Sequence, residues 1–516
     1  MPRGSIPIEI PPPIGGFHTD YPAWKMPIQA IFDGQNVVVR NQKLYVRSGY
    51  KKLDNTGFGE QVMGGMNYTL NTGVKATIAG GLTKRKFFNG TLWTDITGPA
   101  WTGTNFSLAR FVDFPNGATI YAIGVNGKDT TVAWDGVSGT DIAVPGAPIA
   151  KDVTATANRV IYGNVTFGGN AYPYAISYSA FNDHTQNPQT NIIQIAESSG
   201  PVVAVRHLSS GAFAIYTENG QHVATAQASI APFAVNQRSA QPGPVSASAV
   251  VYAGEGRHAY LGIDGNIYGF DGTQCVPLGN AVRTKIISSI DDSNRQRSHG
   301  VYDRMNREIH WWWEPMGSSG LTAGITMRLD DGVFSPLHLF SKSLTASWMW
   351  DAQTSLKWSD LSGTWLTLGN IYPSWSSMNS ASAPIQSLGE SGGQTYSYAG
   401  NSTDDGNLIP AFWQDPPCAY GGNGKITRVD AIESYFTQLT SSMMVCVMVG
   451  VADAPGISPT YQPGYTFDVS VPVLPVQTFN NLEGRFVTIK FVANAINQGL
   501  EFLGGLLYAY AKGVAA

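Results

Sequence analysis

Ala259-Tyr260-Leu261-Gly262-Ile263, then Asp264-Gly265, then Asn266-Ile267-Tyr268-Gly269-Phe270 spell out a strand, a turn and a second strand. Two short segments rich in aromatic and branched residues flank an Asp-Gly pair. Asp-Gly suits the positive φ angles of a tight hairpin turn, so the segments read as antiparallel strands. The signal repeats at once in Asp271-Gly272.

Outward from this hairpin, an apolar or aromatic residue followed by Asp or Asn and then Gly keeps returning. It stands at Phe32-Asp33-Gly34, Phe88-Asn89-Gly90, Val125-Asn126-Gly127 and Trp134-Asp135-Gly136, with related pairs at Asn116-Gly117, Asn219-Gly220 and Asp331-Gly332. Hairpin after hairpin predicts an all-β protein built by repetition. Many short strands with aromatic and turn punctuation fit a β-propeller, each blade a small antiparallel sheet. The turn spacing is irregular and fixes no blade number. Such an architecture points to a scaffold or binding surface before it points to an enzyme.

Around this centre the chain divides into three parts. Residues 1–34, with Pro11-Pro12-Pro13 and Gly15-Gly16, cannot make a helix or a central strand and read as an extended N-terminal arm. Residues 35–400 are assigned to the propeller. A stretch rich in Ser, Gly and Asn around 391–406 marks a boundary, and the longer alternating segments beyond it predict a C-terminal β-sandwich over 401–516, packed with the propeller.

Charged residues make up 13% of the 516, against roughly 25% in an average soluble protein. Few charges and many turn residues suit a surface covered by partners. The net charge is −4 and the pI about 6.1, so the overall field does not draw in nucleic acid. Cys275, Cys418 and Cys446 lack metal-ligand spacing and read as reduced. The Pro-rich start is no secretion signal, and no apolar run is long enough for a membrane helix.

Catalytic signatures are missing from the sequence. It holds no Gly-x-Ser-x-Gly elbow and no His-Glu-x-x-His motif, and its eight histidines are scattered singly. No catalytic, cofactor-binding or metal-binding residue is assigned, although Asp291-Asp292 and Asp404-Asp405 offer paired acids. Trp348, Trp350, Trp358, Trp365 and Trp375 read as blade-edge or inter-blade tryptophans. The sharper alternative makes them, with Trp311-Trp312-Trp313, a platform for stacking sugars. Basic clusters at Arg40 to Lys52, at Lys84-Arg85-Lys86 and from Arg295 to Arg307 suit contacts with phosphates or, favoured by the net acidity, with acidic surfaces of neighbouring subunits.

Three ordered stretches carry a family resemblance. The first runs from Asn36 through Leu44-Tyr45-Val46-Arg47-Ser48-Gly49-Tyr50. The second is Asn158-Arg159-Val160, followed by Tyr178-Ser179-Ala180-Phe181-Asn182-Asp183, with His184 where a proline is common. The third is Gly484-Arg485-Phe486 and the strand after it. They resemble the tail nozzle, or tail-hub, proteins of short-tailed bacteriophages. The resemblance implies a virion structural protein, made in the host cytoplasm and carried in the phage tail. It implies a ring of identical subunits, six in number, that closes the tail and conducts DNA during ejection. Its partners would be the tail adaptor or head-tail connector, tail fibres or spikes, and genomic DNA passing without sequence specificity. The motif residues are expected to be structural, with Gly49 allowing a tight turn and Tyr50 anchoring it. The rival reading is a tail propeller that binds or cleaves host surface glycans.

Overall fold

The computed structural model describes residues 5–514 apart from 23–24, 41–42, 230, 255, 352–383, 402, 421, 423–424, 438–442, 455–456, 472–475 and 496–500. Among the described residues, seven four-stranded antiparallel sheets follow one another along the chain. Their first strands are Val62–Thr69, Arg110–Asn116, Ile149–Thr156, Val202–Ser209, Val250–Gly254, His299–Asp303 and Leu344–Asp351, which number blades 1 to 7. Each first strand packs beside that of the next blade, and the first strand of blade 7 returns to that of blade 1. A closed ring of such sheets is a β-propeller.

The ring is fastened by the other end of the chain. Blade 7 draws its outermost strand, Gly49–Lys52, from before blade 1, pairing it antiparallel with Thr395–Asn401. The predicted turn signals sit at reversals of the chain, with left-handed backbone at Gly90, Gly117, Gly127, Gly136, Gly265, Gly272 and Gly332. Around Asp264-Gly265 the loop is wider than a two-residue turn, because Leu261 pairs with Ile267 and the Gly262 N–H donates to the Asn266 carbonyl. Phe32-Asp33-Gly34 is the exception among the signals. Asp33–Gln35 is a strand paired with Ile409–Gln414.

Two six-stranded sheets form the second body. One contains Gln477–Gly484, Lys425–Phe436, Phe502–Val514, Lys43–Val46 and Val37–Arg40, with Ile6–Ile10 also paired to Phe502–Val514. The other contains Thr460–Tyr461, Met444–Ala452, Phe486–Ala495, Ile409–Gln414 and Asp33–Gln35, with Tyr465–Asp468 on Met444–Ala452. Their inner faces meet through aromatic rings. Phe491 stacks on Trp413 at 4.7 Å between centroids and reaches Phe502, also at 4.7 Å, from the facing sheet.

This topology moves the domain boundaries. The sequence reading makes 1–34 a separate arm and starts the propeller at 35. In the structure Ile6–Ile10 and the strands between Asp33 and Val46 are built into the sandwich, and the chain enters the propeller between Val46 and Gly49. The physical reason is strand length. Segments of three to five residues cannot bury a face alone and are stable only when paired to a larger sheet. The propeller is therefore an insertion into a sandwich assembled from both ends of the chain.

Inside the ring both faces of a blade are covered, so a strand there can be buried along its whole length. Glu308–Trp313, in blade 6, shows the effect, with Trp311, Trp312 and Trp313 all fully buried. Trp311 and Trp313 join a cluster that runs through blade 5 into the sandwich core, while Trp312 packs with Tyr50, Phe340 and Leu344 toward blade 7. No face remains for a sugar, and this part of the stacking platform is ruled out. Trp348 and Trp350 fill the seam between blades 7 and 1, whereas Trp358, Trp365 and Trp375 lie outside the described residues.

Candidate functional site

The first family-like stretch converges where the chain passes between the two bodies. Asn36 takes a left-handed φ of 56°, which turns its side chain back toward Arg47. The Arg47 guanidinium donates to the Asn36 Oδ1 at 2.8 Å, to both carboxylate oxygens of Asp404 at 2.8 and 2.6 Å, and to the carbonyls of Ser48 and Leu339 at 2.9 Å each. All five of its N–H donors are used. Asn36 closes the knot by donating to the Pro410 carbonyl at 2.8 Å and accepting from the Leu339 N–H at 2.8 Å. The outgoing chain, the returning chain and blade 6 are thus tied at one buried point.

Gly49 and Tyr50 complete this junction. Gly49 does not have positive φ, so its reason is not the tight turn expected from sequence. A Cβ there would collide with the backbone carbonyl of Thr403, where the two chain crossings touch. Tyr50 is fully buried, its hydroxyl 2.9 Å from Ser341 Oγ, and burial pushes that hydroxyl up to about 12. Leu44 is buried in the apolar cluster that spans the sandwich and blades 5 and 6.

The second stretch also folds onto itself, at the hairpin of blade 3. Thr156 pairs with Arg159 across the two residues Ala157 and Asn158, whose φ angles of 48° and 55° give a type I′ turn. Arg159 donates to the Ser179 carbonyl at 2.7 Å and lies over the rings of Tyr178 and Phe181. Ser179 Oγ accepts from the Val160 N–H at 3.0 Å, and Asp183 caps the next turn through Thr185. The third stretch differs from the other two. Arg485 is exposed on the bend between two sandwich strands, and Phe486 is half-buried opposite Ala452.

The predicted basic clusters largely find partners inside the chain rather than on a neighbour. Arg40 grips Glu308 through both oxygens at 2.6 and 2.7 Å, and Lys43 meets Glu501. Arg85 meets Asp141, and Arg297 meets Glu314. Asp303, Glu308 and His310 each bring a ligand atom within 4.8 Å of the others. Glu308 is already bound by Arg40, and Asp303 accepts from the Met305 and Asn306 N–H groups. Arg40 thus offsets one of the two carboxylates, and burial holds His310 below its usual range.

One concavity among the described residues has no signature in the sequence. A cavity of about 1000 Å³ opens between blades 5 and 6 and reaches the propeller axis. At its floor Asp152, fully buried in blade 3, accepts from Arg110 at 3.0 Å, from the Val205 N–H at 2.8 Å and from Arg206. Burial holds the Arg206 guanidinium down at about 10, still charged near neutrality. Arg110, in blade 2, also reaches Ser248 Oγ at 3.4 Å, just ahead of blade 5. Blades 2 and 5 are not neighbours, so this bond crosses the axis. The hole of the propeller is closed at that level by side chains.

No protein-family model and no curated protein matches this chain. Among solved structures it is similar to the β-propeller domain of Cps50 (Swd1) from Myceliophteria thermophila, at 8% identity over 59% of this chain and 91% of that one, with a TM-score of 0.37. It is also similar to BBS1N in complex with ARL6DN, at 10% identity over 70% and 99%, with a TM-score of 0.40. For Sqt1 of Saccharomyces cerevisiae the identity is 9% over 68% and 99%, with a TM-score of 0.37. At these values the assignment as a propeller rests on the order and closure of the seven sheets.

Proposed function

We propose that this chain is a structural subunit of a phage virion, a tail-nozzle-type hub whose copies form a ring around a DNA channel. The observation that carries the reading is the fate of the family-like residues. Asn36, Arg47, Gly49 and Tyr50 are consumed in the knot that joins the sandwich to the propeller, as a scaffold requires, and Arg47 keeps no donor for a ligand. Exposed apolar residues on the sandwich give copies something to bury. Met444 and Tyr465 are each 44% exposed on paired strands, and Tyr465 and Val476 line one surface groove.

Because Arg110, Asp152 and Arg206 close the propeller axis, a DNA conduit would run between copies rather than through each propeller. The test is native mass spectrometry of the purified protein with negative-stain class averages. A six-fold ring with a central hole, alone or with the tail adaptor, is the expected result. A chain that stays monomeric with the adaptor present overturns the proposal.

A further inference from the structure

Asp303, Glu308 and His310 share one face of the first hairpin of blade 6. Asp303 and Glu308 stand directly opposite in the ladder, and His310 follows Glu308 two residues along the same strand. Their ligand atoms lie within 4.8 Å of one another. Carboxylate and imidazole bonds to a first-row metal measure about 2.0–2.2 Å, which sets two ligand atoms up to about 4.4 Å apart, so small side-chain rotations close the site. Asp303 is half-buried beside the exposed Met305, which gives an ion its way in.

The histidine supplies a second, independent observation. His310 is only 1% exposed, yet its Nε2 makes no hydrogen bond. That atom faces the carboxylates, 3.8 Å from Glu308 Oε2 and too far for a hydrogen bond. Nδ1 lies 2.8 Å from Thr326 Oγ1, and with the Nδ1 proton donated there Nε2 carries an open lone pair. The ring is held in place, stacked on Trp312 at 5.9 Å and edge-on to Tyr398 at 5.8 Å.

The carboxylates keep acceptor capacity as well. Each offers about four lone-pair sites. Arg40 uses two on Glu308, and Met305 and Asn306 use three on Asp303. Arg40 offsets one of the two negative charges, while Arg328, opposite Glu308 on the next strand, pairs with Asp330 and Asp331. We infer that Asp303, Glu308 and His310 bind one divalent first-row transition metal ion of the zinc type. An imidazole nitrogen with carboxylate oxygens suits such an ion better than magnesium or calcium, which take oxygen ligands. The inference stands apart from the tail reading and from ring formation.

The experiment is isothermal titration of the full-length protein, first stripped with EDTA, with zinc chloride in a non-chelating buffer near pH 7. Saturable one-to-one binding is expected. His310→Gln removes the nitrogen ligand, and Asp303→Asn keeps an acceptor for the turn but drops the charge. Each should weaken zinc about 10-fold or more, since even the loss of a group that only orients a ligand costs that much. Circular dichroism shows that the variants fold, and the half-buried Asp303 position tests the site even where the change at buried His310 unfolds the chain. His207→Gln, at an exposed histidine of blade 4, should leave binding unaltered. Failure of the wild-type protein to bind zinc overturns the inference, as does a folded Asp303→Asn variant that binds as tightly as wild type. Equal weakening by His207→Gln also overturns it, since a surface histidine would then explain the ion. Displacement of zinc by an equal concentration of magnesium overturns the assigned class of metal.

Discussion

Replacing Arg47 with methionine tests the junction most directly. The guanidinium is fully buried and makes five hydrogen bonds, two of them to Asp404, whose side chain is only 6% exposed. Methionine keeps the contact with the Phe340 ring, which lies 4.5 Å from the guanidinium, but removes every donor. Asp404 then stays buried with no counter-charge. Breaking a buried pair in this way costs about 3–5 kcal/mol, because the stranded charge has lost its partner and has not regained water. Adding Asp404→Asn removes the stranded charge, so the double variant should be more stable than Arg47→Met alone, by about 1–3 kcal/mol. Urea denaturation followed by tryptophan fluorescence reads both steps through the midpoint of the first transition. An Arg47→Met midpoint indistinguishable from wild type would refute the knot. So would costs that simply add in the double variant, because the two side chains would then be energetically independent.

Gly49→Ala should lower the melting temperature, because the new methyl meets the rigid Thr403 backbone and overpacking costs about 1–3 kcal/mol or more; an unchanged melt would remove the close-approach explanation. Trp312→Ala should cost about 3–5 kcal/mol as a core cavity, and a stable variant that instead lost glycan binding would restore the stacking role. Burial pushes the Asp415 carboxyl up to about 8, and its Oδ1 has no hydrogen-bond partner. Its folded pKa lies above the unfolded value of about 3.9, so its contribution is full below about pH 4 and is lost as pH rises toward 8. Asp415→Asn should therefore melt higher than wild type at pH 9 and close to it at pH 5, and identical pH profiles would contradict the assignment.

The propeller was legible because its turns are written locally. Gly90, Gly127, Gly265 and Gly272 stand at left-handed positions that few other residues tolerate, and each follows the Asp or Asn that caps the turn. The blade number was not legible. Successive first strands begin 39 to 53 residues apart, too uneven to register as a repeat. The boundary at 35 failed because pairing partners are non-local. Nothing in Val37–Arg40 announces that its sheet is completed by residues beyond 425. Of the cavity arginines, Arg304 and Arg307 fall in a basic cluster of the sequence, whereas Arg110, Arg206, Arg257 and Arg328 are gathered only by the fold. Arg206, Arg257 and Arg304 stand 51 and 47 residues apart, about one blade each, which is how a repeat brings distant residues to one mouth.

The nested topology has a mechanical consequence for any assembly of this chain. A domain joined by one linker can swing, whereas this propeller is entered and left at adjacent points, near Gly49 and Thr403, and both crossings are tied by Arg47. The apolar cluster shared by the sandwich and blades 5 and 6 fixes the same two bodies a second time, and Arg40 with Glu308 a third. Three separate ties between two bodies leave no hinge among them. In a ring, contacts made by the sandwich would then set the angle of every propeller, and strain at either body would pass to the other. The arginine cavity lies in this restrained part of the propeller, since Glu308, gripped by Arg40, directly follows Arg307 on its rim.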